Sequence, residues 1–295
     1  MILIDYNQIA LGALMVTLKR GEELSDDLVR HIVLNNIRYY RSRFTEKYGE
    51  VVICCDNKQY WRRKYFDYYK ANRKKDREVS GHDWDAIFSI LNDIRDELRE
   101  YFPYKVMDIE GAEADDIIAS LILADQHSKH LIVSSDKDFI QLHVYDVDQY
   151  SPLTKKMVKN KDPKRYLTEH ILKGDRSDGV PNVLSPDDTF VTDKRQKPMR
   201  KAVISEVVDY LETKGTVFNM DMDDMCSTLT KCTKDTWKRN WQRNSTLIDL
   251  RACPSSIKAD IEWAFSEYEL PDRSRLFNYF VDKKLTTLMD SIGEF

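Results

Sequence analysis

Several classes of protein are excluded by what this 295-residue chain lacks. Its five cysteines, Cys54, Cys55, Cys226, Cys232 and Cys253, form no CxxC pair. Their odd number speaks against a complete disulfide framework and fits a reducing cytoplasm. None of the six histidines sits in a triad or HExxH setting. No internal repeat, collagen-like period or low-complexity tract is present. The apolar start MILIDYNQIALGALMVTL has no basic segment before it and is interrupted by Asp5 and Gln8. It reads as strand, turn and helix, not as a signal peptide, and no membrane association is expected.

A net positive charge is also missing: the formal sum is −4, which on its face opposes nucleic-acid binding. The charge is segregated, however. Residues 57–77, NKQYWRRKYFDYYKANRKKDR, hold nine Lys/Arg against two Asp, with six aromatic residues among them. Local basic surface, not the whole-chain sum, governs attraction to a phosphate backbone. The pattern equally describes an amphipathic helix with Trp61, Tyr65 and Tyr69 packed inward. Lys and Arg tracking phosphates beside aromatic faces that stack on bases is the alternative, with Arg62, Arg63, Tyr69, Lys74 and Lys75 as expected DNA contacts.

The 42% hydrophobic content supports a real core. Short apolar runs at 2–5, 51–55, 104–107 and 130–134 read as buried strands, separated by helical patterns such as 27–44 and 84–101. Alternation of this kind predicts an α/β fold with a mostly parallel central sheet flanked by helices. Residues 144–160 read as an edge hairpin, and helical patterns dominate after Pro163. We therefore expect an α/β domain over 1–163 and a smaller helical DNA-binding domain over 164–295. Residues 182–200, polar and proline-punctuated, are expected to form a loop.

Three apolar runs end on aspartate: MILI on Asp5, VVICC on Asp56, and LIVSS on Asp136, with Asp138 two residues on. A single such residue is most often a turn former or helix cap. Three together, at the carboxyl ends of parallel strands where α/β proteins place their crevices, suggest a shared site. Glu113, Asp115 and Asp116 open a helix, where acidic residues also complement the helix dipole. Asp175 and Asp178 add a fifth cluster. So many carboxylates repel unless cations neutralise them, and hard oxygen ligands suit Mg²⁺, with Mn²⁺ substituting. Two ions roughly 3.5–4 Å apart would activate water and stabilise a leaving oxygen in phosphodiester hydrolysis.

At Tyr69–Arg73 the sequence reads YKANR, and EADD (113–116), SSDKDF (134–139) and GDRSDGVP (174–181) follow in order. These motifs resemble the 5′-nuclease domain of bacterial DNA polymerase I. The closing FNYFV (277–281) and SIGEF (291–295) resemble the T-even phage ribonuclease H branch of the flap endonuclease family. The resemblance implies a PIN-like 5′-nuclease fold and a structure-specific 5′ nuclease that removes RNA primers and adjoining DNA. It implies two metal ions on Asp5, Asp56, Glu113, Asp115, Asp116, Asp136, Asp138, Asp175 and Asp178, directly or through water. Lys70 and Arg73 match the residues that contact the scissile phosphate at the base of a helical arch, and Tyr69 one that stacks on the terminal base. DNA and RNA–DNA duplexes with 5′ ends or flaps are the implied substrates. A monomer in the host cytoplasm is expected, with a single-strand-binding protein or sliding clamp as a further partner.

Two departures stand out. The family's GDxSDN reads GDRSDG here, with Gly179 in place of asparagine, and its glycine hairpin GIGxKTA is replaced by SPDDTFVTDKRQKPMRKA. In the family that hairpin grips duplex phosphates and often holds a monovalent cation. Lys194, Arg195, Lys197, Arg200 and Lys201 are the substitutes the sequence offers for that grip. A PIN-like ribonuclease and a noncatalytic DNA-binding module of the same fold are the competing readings.

Overall fold

The computed structural model describes residues 1–19, 25–192, 194–214 and 220–295, with side chains at 16–19, 75–76, 213–214, 220–222 and 225 left out of account. Lys75, one of the expected DNA contacts, therefore has its side chain outside the described residues.

In chain order the first elements are β1 (Ile2–Asp5), α1 (Tyr6–Lys19), α2 (Asp26–Tyr48), β2 (Val51–Cys54), α3 (Trp61–Tyr65), α4 (Asn72–Ser80) and α5 (Trp84–Tyr101). They are followed by β3 (Lys105–Met107), α6 (Ala114–Ala124), β4 (Leu131–Val133), β5 (Asp148–Ser151) and β6 (Lys156–Val158). The remainder is helical: α7 (Pro163–Lys173), α8 (Lys201–Lys214), α9 (Met220–Thr230), α10 (Lys234–Ile248), α11 (Ser255–Ser266), α12 (Ser274–Asp282) and α13 (Thr286–Met289). Helix α9 carries the sequence MDMDDMCSTLT. Among the described residues no helix is long and apolar enough to cross a membrane.

The contacts divide the chain into two compact units. The first comprises residues 1–60, 83–159 and 254–295, the second residues 61–82 and 160–253. The expected division at residue 163 follows chain order, whereas packing is interleaved. Residues 254–295 pack with the sheet, and the basic aromatic segment packs with the later helices.

The first unit is built on a six-stranded sheet of order β3-β2-β1-β4-β5-β6. All neighbours are parallel except β5 and β6, which form the expected edge hairpin. The chain runs outward from β1 through β2 to β3, then restarts at β4 on the other side of β1. Strand order thus reverses between β1 and β4, the position at which open α/β sheets leave a crevice beyond their carboxyl ends. Ile2, Leu3 and Ile4 are fully buried, as continuous apolar strands covered on both faces should be.

Helices seal the sheet by periodicity. Asp83 caps α5 by accepting the Ala86 N–H, and Ile87, Ile90, Leu91, Ile94 and Leu98 form its buried face. Ser25 caps α2 in the same manner. Arg30 of α2 is buried and makes a two-pronged bond to Glu97 of α5, at 2.8 and 3.1 Å. Glu97 also accepts Tyr279 Oη at 2.8 Å and Lys283 Nζ at 2.6 Å, so one carboxylate ties α2, α5 and the α12 region together. Beside it, Phe102, Phe280 and Phe295 pack edge to face with centroids 5.2–6.1 Å apart.

Burial pushes the Glu97 pKa up, but its bonds from Arg30, Lys283 and Tyr279 outweigh that and hold it below the usual 4.5. Its contribution is therefore present above that value and lost as pH falls through the lower folded pKa. Glu97→Ala should destabilise the protein by about 3–5 kcal/mol at pH 7, because it leaves Arg30 buried with only the exposed Asp27, at 3.0 Å, as counter-charge. Melting curves at pH 7 and pH 3 check this: the gap between variant and parent should shrink at the lower pH. A parent-like melt at pH 7 would show that the tie is dispensable.

Candidate functional site

In the first unit seven of the predicted carboxylates sit where the carboxyl ends of the strands meet helix α6. Asp5 is the last residue of β1, in register with Cys54 of β2, and Asp56 lies two residues further on. Ile4 pairs with Val133 of β4, three residues before Asp136. Parallel register alone therefore brings Asp5, Asp56 and Asp136 to one end of the sheet.

Asp5 is 6% exposed. Burial and the neighbouring Asp56 and Asp136 charges raise its pKa to about 7, against opposing hydrogen bonds from the Gln8 N–H and Ser134. Asp5 Oδ1 accepts Gln8 N–H at 3.2 Å, and Oδ2 accepts Ser134 Oγ at 2.9 Å. Ser134 Oγ in turn accepts the Asp136 N–H at 3.1 Å, linking β1 to the loop after β4. Asp136 Oδ1 accepts the Asp138 N–H at 2.9 Å, which orders the DKD turn. Gln149 of β5 donates to the Asp136 carbonyl at 2.6 Å and the Ser134 carbonyl at 3.0 Å.

Asp56 Oδ2 accepts Asn7 Nδ2 at 2.9 Å, and its Oδ1 accepts the Ala114 N–H at 2.8 Å. The open N-terminus of α6 thereby complements an aspartate from another strand. The trio at the start of α6 divides by role. Glu113 and Asp116 form a capping box, with the Glu113 N–H donating to Asp116 Oδ2 at 3.1 Å, and both are buried. Asp115 is half-buried, and its charge acts together with that of Asp5 on the Cys54 thiol, which burial pushes well up.

These residues suit hard divalent cations. The donor set is all carboxylate oxygen, and one member, Asp5, is driven toward protonation by burial and then by its charged neighbours. Asn7, Ser134 and Gln149 were not singled out as site residues. Only their neighbourhood marks them, Asn7 two residues after Asp5 and Ser134 inside SSDKDF.

The second unit holds the remaining predicted residues in two docked turns. Asp175 Oδ1 accepts Ser177 N–H and Oγ, each at 2.6 Å, and His170 Nε2 lies 3.5 Å from Oδ2. Burial opposes the Asp175 charge, but bonds to His170 and Ser177 outweigh it and hold its pKa well below the usual value. Asp178 accepts Arg73 Nη2 at 2.6 Å on Oδ1 and Tyr69 Oη at 2.7 Å on Oδ2, with Lys70 Nζ 3.8 Å away. The Lys70 N–H also donates to the Asp178 carbonyl at 2.8 Å, and Lys70 adopts a left-handed φ of 56°. YKANR is thus folded onto GDRSDG.

That docking explains the unusual glycine. Gly179 has φ +72°, and a Cβ there would lie 2.8 Å from the Tyr68 carbonyl and 3.2 Å from Asn72 Oδ1. Two expected contacts are corrected by the same packing. Tyr69 is 3% exposed, so its ring is core and its hydroxyl holds Asp178; it offers no face to a base. Arg62 is 2% exposed, lies 4.7 Å from the Trp61 ring and donates Nε to the Leu247 carbonyl at 3.0 Å, which removes it from any phosphate-facing surface. Arg63 and Lys74 are exposed, as are Lys194, Arg195, Lys197, Arg200 and Lys201. Lys194 pairs with Asp188 at 2.7 Å.

Two family models match successive stretches of the chain, in sequence order. Residues 2–171 match the 5′-3′ exonuclease N-terminal resolvase-like domain, and residues 163–295 match the T4 RNase H C-terminal domain. Ribonuclease H of Enterobacteria phage T4 is 37% identical, covering 99% of this chain and 95% of that protein. A 5′-3′ exonuclease of Buchnera aphidicola is 34% identical over 45% of this chain and 47% of its own length. Among solved structures, a bacteriophage T5 flap endonuclease in a complex with DNA and metal ions has a similar fold, with TM-score 0.61 and 15% identity over 90% of this chain and 97% of that one. The T5 5′-exonuclease with bound zinc ions gives TM-score 0.62 and 14% identity over 90% and 98%.

Two outcomes test the geometry. Because the folded Asp5 pKa lies above the ordinary 3.8, the metal-free protein should lose stability as pH rises from about 4 through about 7. Asp5→Asn should then stabilise the protein in chelator at pH 8, by up to about 4 kcal/mol, read as a higher melting temperature, and have no such effect below pH 4. Equal melting at pH 8 would remove the repulsion from the account. Gly179→Asn should slow single-turnover cleavage about 10- to 100-fold by displacing Lys70 and Arg73. Parent-like rates would mean that the docked turns are not required.

Proposed function

The chain belongs to the 5′-3′ exonuclease family with a C-terminal domain of the T4 RNase H type, and on that premise we propose that it is a structure-specific 5′ nuclease that removes RNA primers and adjacent DNA during phage-type lagging-strand replication. The observation that carries this reading is the crowding of Asp5, Asp56 and Asp136 at the point where strand order reverses. Such a site has the chemistry of a metal-dependent phosphodiesterase.

The reaction adds water across a phosphodiester: a water oxygen bonds to phosphorus and the sugar oxygen leaves with a proton. Two Mg²⁺ ions, replaceable by Mn²⁺, would supply charge neutralisation and a water of lowered pKa. Asp5, Asp56, Asp115, Asp136 and Asp138 would hold them, with Glu113, Asp116, Asp175 and Asp178 acting through water or through the turns they order. Asn7 and Ser134 fix the orientation of the carboxylates by donating to Asp56 and Asp5. Lys70 and Arg73, which face the Asp178 carboxylate, bind the scissile phosphate, which likewise presents a pair of anionic oxygens. Arg63, Lys74 and the 194–201 basic run contact substrate backbone.

The substrates on this reading are DNA and RNA–DNA duplexes with 5′ ends or flaps, bound by a monomer in the host cytoplasm. A single-strand-binding protein or sliding clamp would direct it to replication forks. The α/β part over 1–163 supplies the chemistry, and 164–295 supplies the DNA-binding domain.

Incubation of 5′-labelled flap, nicked and RNA-primed duplexes with Mg²⁺ or chelator tests the proposal. Short 5′ products should appear with Mg²⁺ only. Internal cuts in free RNA would favour a PIN-like ribonuclease, and intact strands a binding module. Asp136→Asn and Asp138→Asn should each cut the cleavage rate at least about 100-fold while duplex binding in Ca²⁺ persists.

A further inference from the structure

Helix α10 places a buried guanidinium within a set of loop carbonyls. Arg243 is 5% exposed, and each of its five N–H bonds meets an acceptor. Nε donates to Asn244 Oδ1 at 2.9 Å, and Nη1 to Asp187 Oδ1 at 2.5 Å and the Ser185 carbonyl at 3.4 Å. Nη2 donates to the carbonyls of Pro181 and Asn182 at 2.8 and 3.2 Å. The next residue and one about a turn earlier add amide donors: Asn244 Nδ2 reaches the Pro181 and Ile171 carbonyls, and Asn240 Nδ2 those of Val183 and Ser185. The guanidinium also lies 5.8 Å from the ring of Phe66, in the segment that carries YKANR.

Carbonyl oxygens converging with a carboxylate are the ligands that proteins present to hard cations. Here the cation is covalently part of the chain and permanently charged. The held loop is bonded directly to the basic run. Ser185 Oγ accepts the Lys197 N–H at 2.8 Å, Asn182 Nδ2 donates to the Lys197 carbonyl at 2.8 Å, and the Asn182 N–H donates to Gln196 Oε1 at 2.8 Å. The position of residues 181–187 therefore sets where Lys194–Lys201 stand.

We infer that Arg243 is a positioning residue for duplex binding, an internal cation that holds the 181–187 carbonyls so that the 194–201 basic run meets duplex phosphates without help from a soluble monovalent ion. The inference rests on the reading of that run as a duplex contact. Neutral replacement of Arg243 removes the cation and one donor from each of the Pro181, Asn182 and Ser185 carbonyls, which keep Asn244 Nδ2, the Ser185 N–H and Asn240 Nδ2, and leaves Asp187 with Arg239 at 3.0 Å. A small cation from solution should then substitute.

Affinity of the full-length protein for a nicked duplex and for a single strand is measured in Ca²⁺, in KCl or tetramethylammonium chloride at equal ionic strength. The parent should bind duplex equally in both salts. Arg243→Ala should bind duplex at least about 10-fold more weakly in tetramethylammonium, a change of about 1.4 kcal/mol. Potassium or millimolar methylguanidinium should restore it, while single-strand affinity and the single-turnover rate at saturating duplex change little. Unrescued loss, or a parent that itself needs potassium, overturns the inference. If Arg243→Ala does not fold, Asp187→Asn, on a half-buried carboxylate, should weaken duplex binding selectively; unchanged affinity there overturns it equally. Lys194→Ala with Lys201→Ala separates the two levels: full duplex affinity in that variant removes the duplex-contact reading itself.

Discussion

Repulsion among carboxylates is the constraint around which the first unit is arranged. A parallel sheet forces the ends of β1, β2 and β4 into register, so residues that follow these strands share a small volume whatever their charge. Asp5 is buried there beside Asp56 and Asp136, and its proton affinity rises accordingly. Apolar packing alone would not tolerate that arrangement. The surrounding structure supplies donors: Ser134 to Asp5, Asn7 and the first N–H of α6 to Asp56, and the Asp138 N–H to Asp136. These bonds orient the oxygens without neutralising them. The residual charge is what gives such a site its affinity for divalent cations and, through them, for a phosphodiester.

The second unit faces the opposite problem, an excess of cation near the chain's own backbone. Asp178 gathers Tyr69, Lys70 and Arg73, while Asp187 and a group of carbonyls gather Arg243. Helix α10 carries Arg243, and its Leu247 carbonyl receives Arg62. Buried charge in this unit thus serves position more than stability, in keeping with the small or unfavourable net contribution of buried ion pairs. Residues 181–201 illustrate the consequence. The described residues among 181–200 form no helix or strand, yet side chains of one helix hold the 181–185 backbone carbonyls at 2.8–3.4 Å, and Ser185 and Asn182 tie them to Lys197.

Much of this was legible in sequence. The apolar runs at 2–5, 51–55 and 130–134 lie within a residue or so of observed strands, because continuous β-branched segments bounded by turn residues have few other solutions. The edge hairpin was equally plain. Tyr69 and Arg62 were misread because a charged aromatic segment has the same composition whether its rings face bases or the interior. Their burial depends on contacts with residues more than a hundred positions away, Asp178 and Leu247. Arg243 was missed for the same reason: its environment is made of main-chain carbonyls, which every sequence possesses.

The sequence by itself determined the chemistry available to this protein: strand-ending aspartates, the YKANR, EADD, SSDKDF and GDRSDG motifs in order, and a parallel sheet to bring the first of them into register. These are local facts, set by residue type, spacing and the short-range periodicity of helix and strand. Tertiary structure alone decided which charges remain for a ligand and which are spent on the fold. Asp115 and Asp138 stay half-buried while Glu113 and Asp116 close a helix cap, and Lys74 stays at the surface while Arg62 is enclosed. The physical reason is that desolvation and hydrogen-bond satisfaction are properties of a site in space, made by distant segments, and no residue carries them in its own spacing or type.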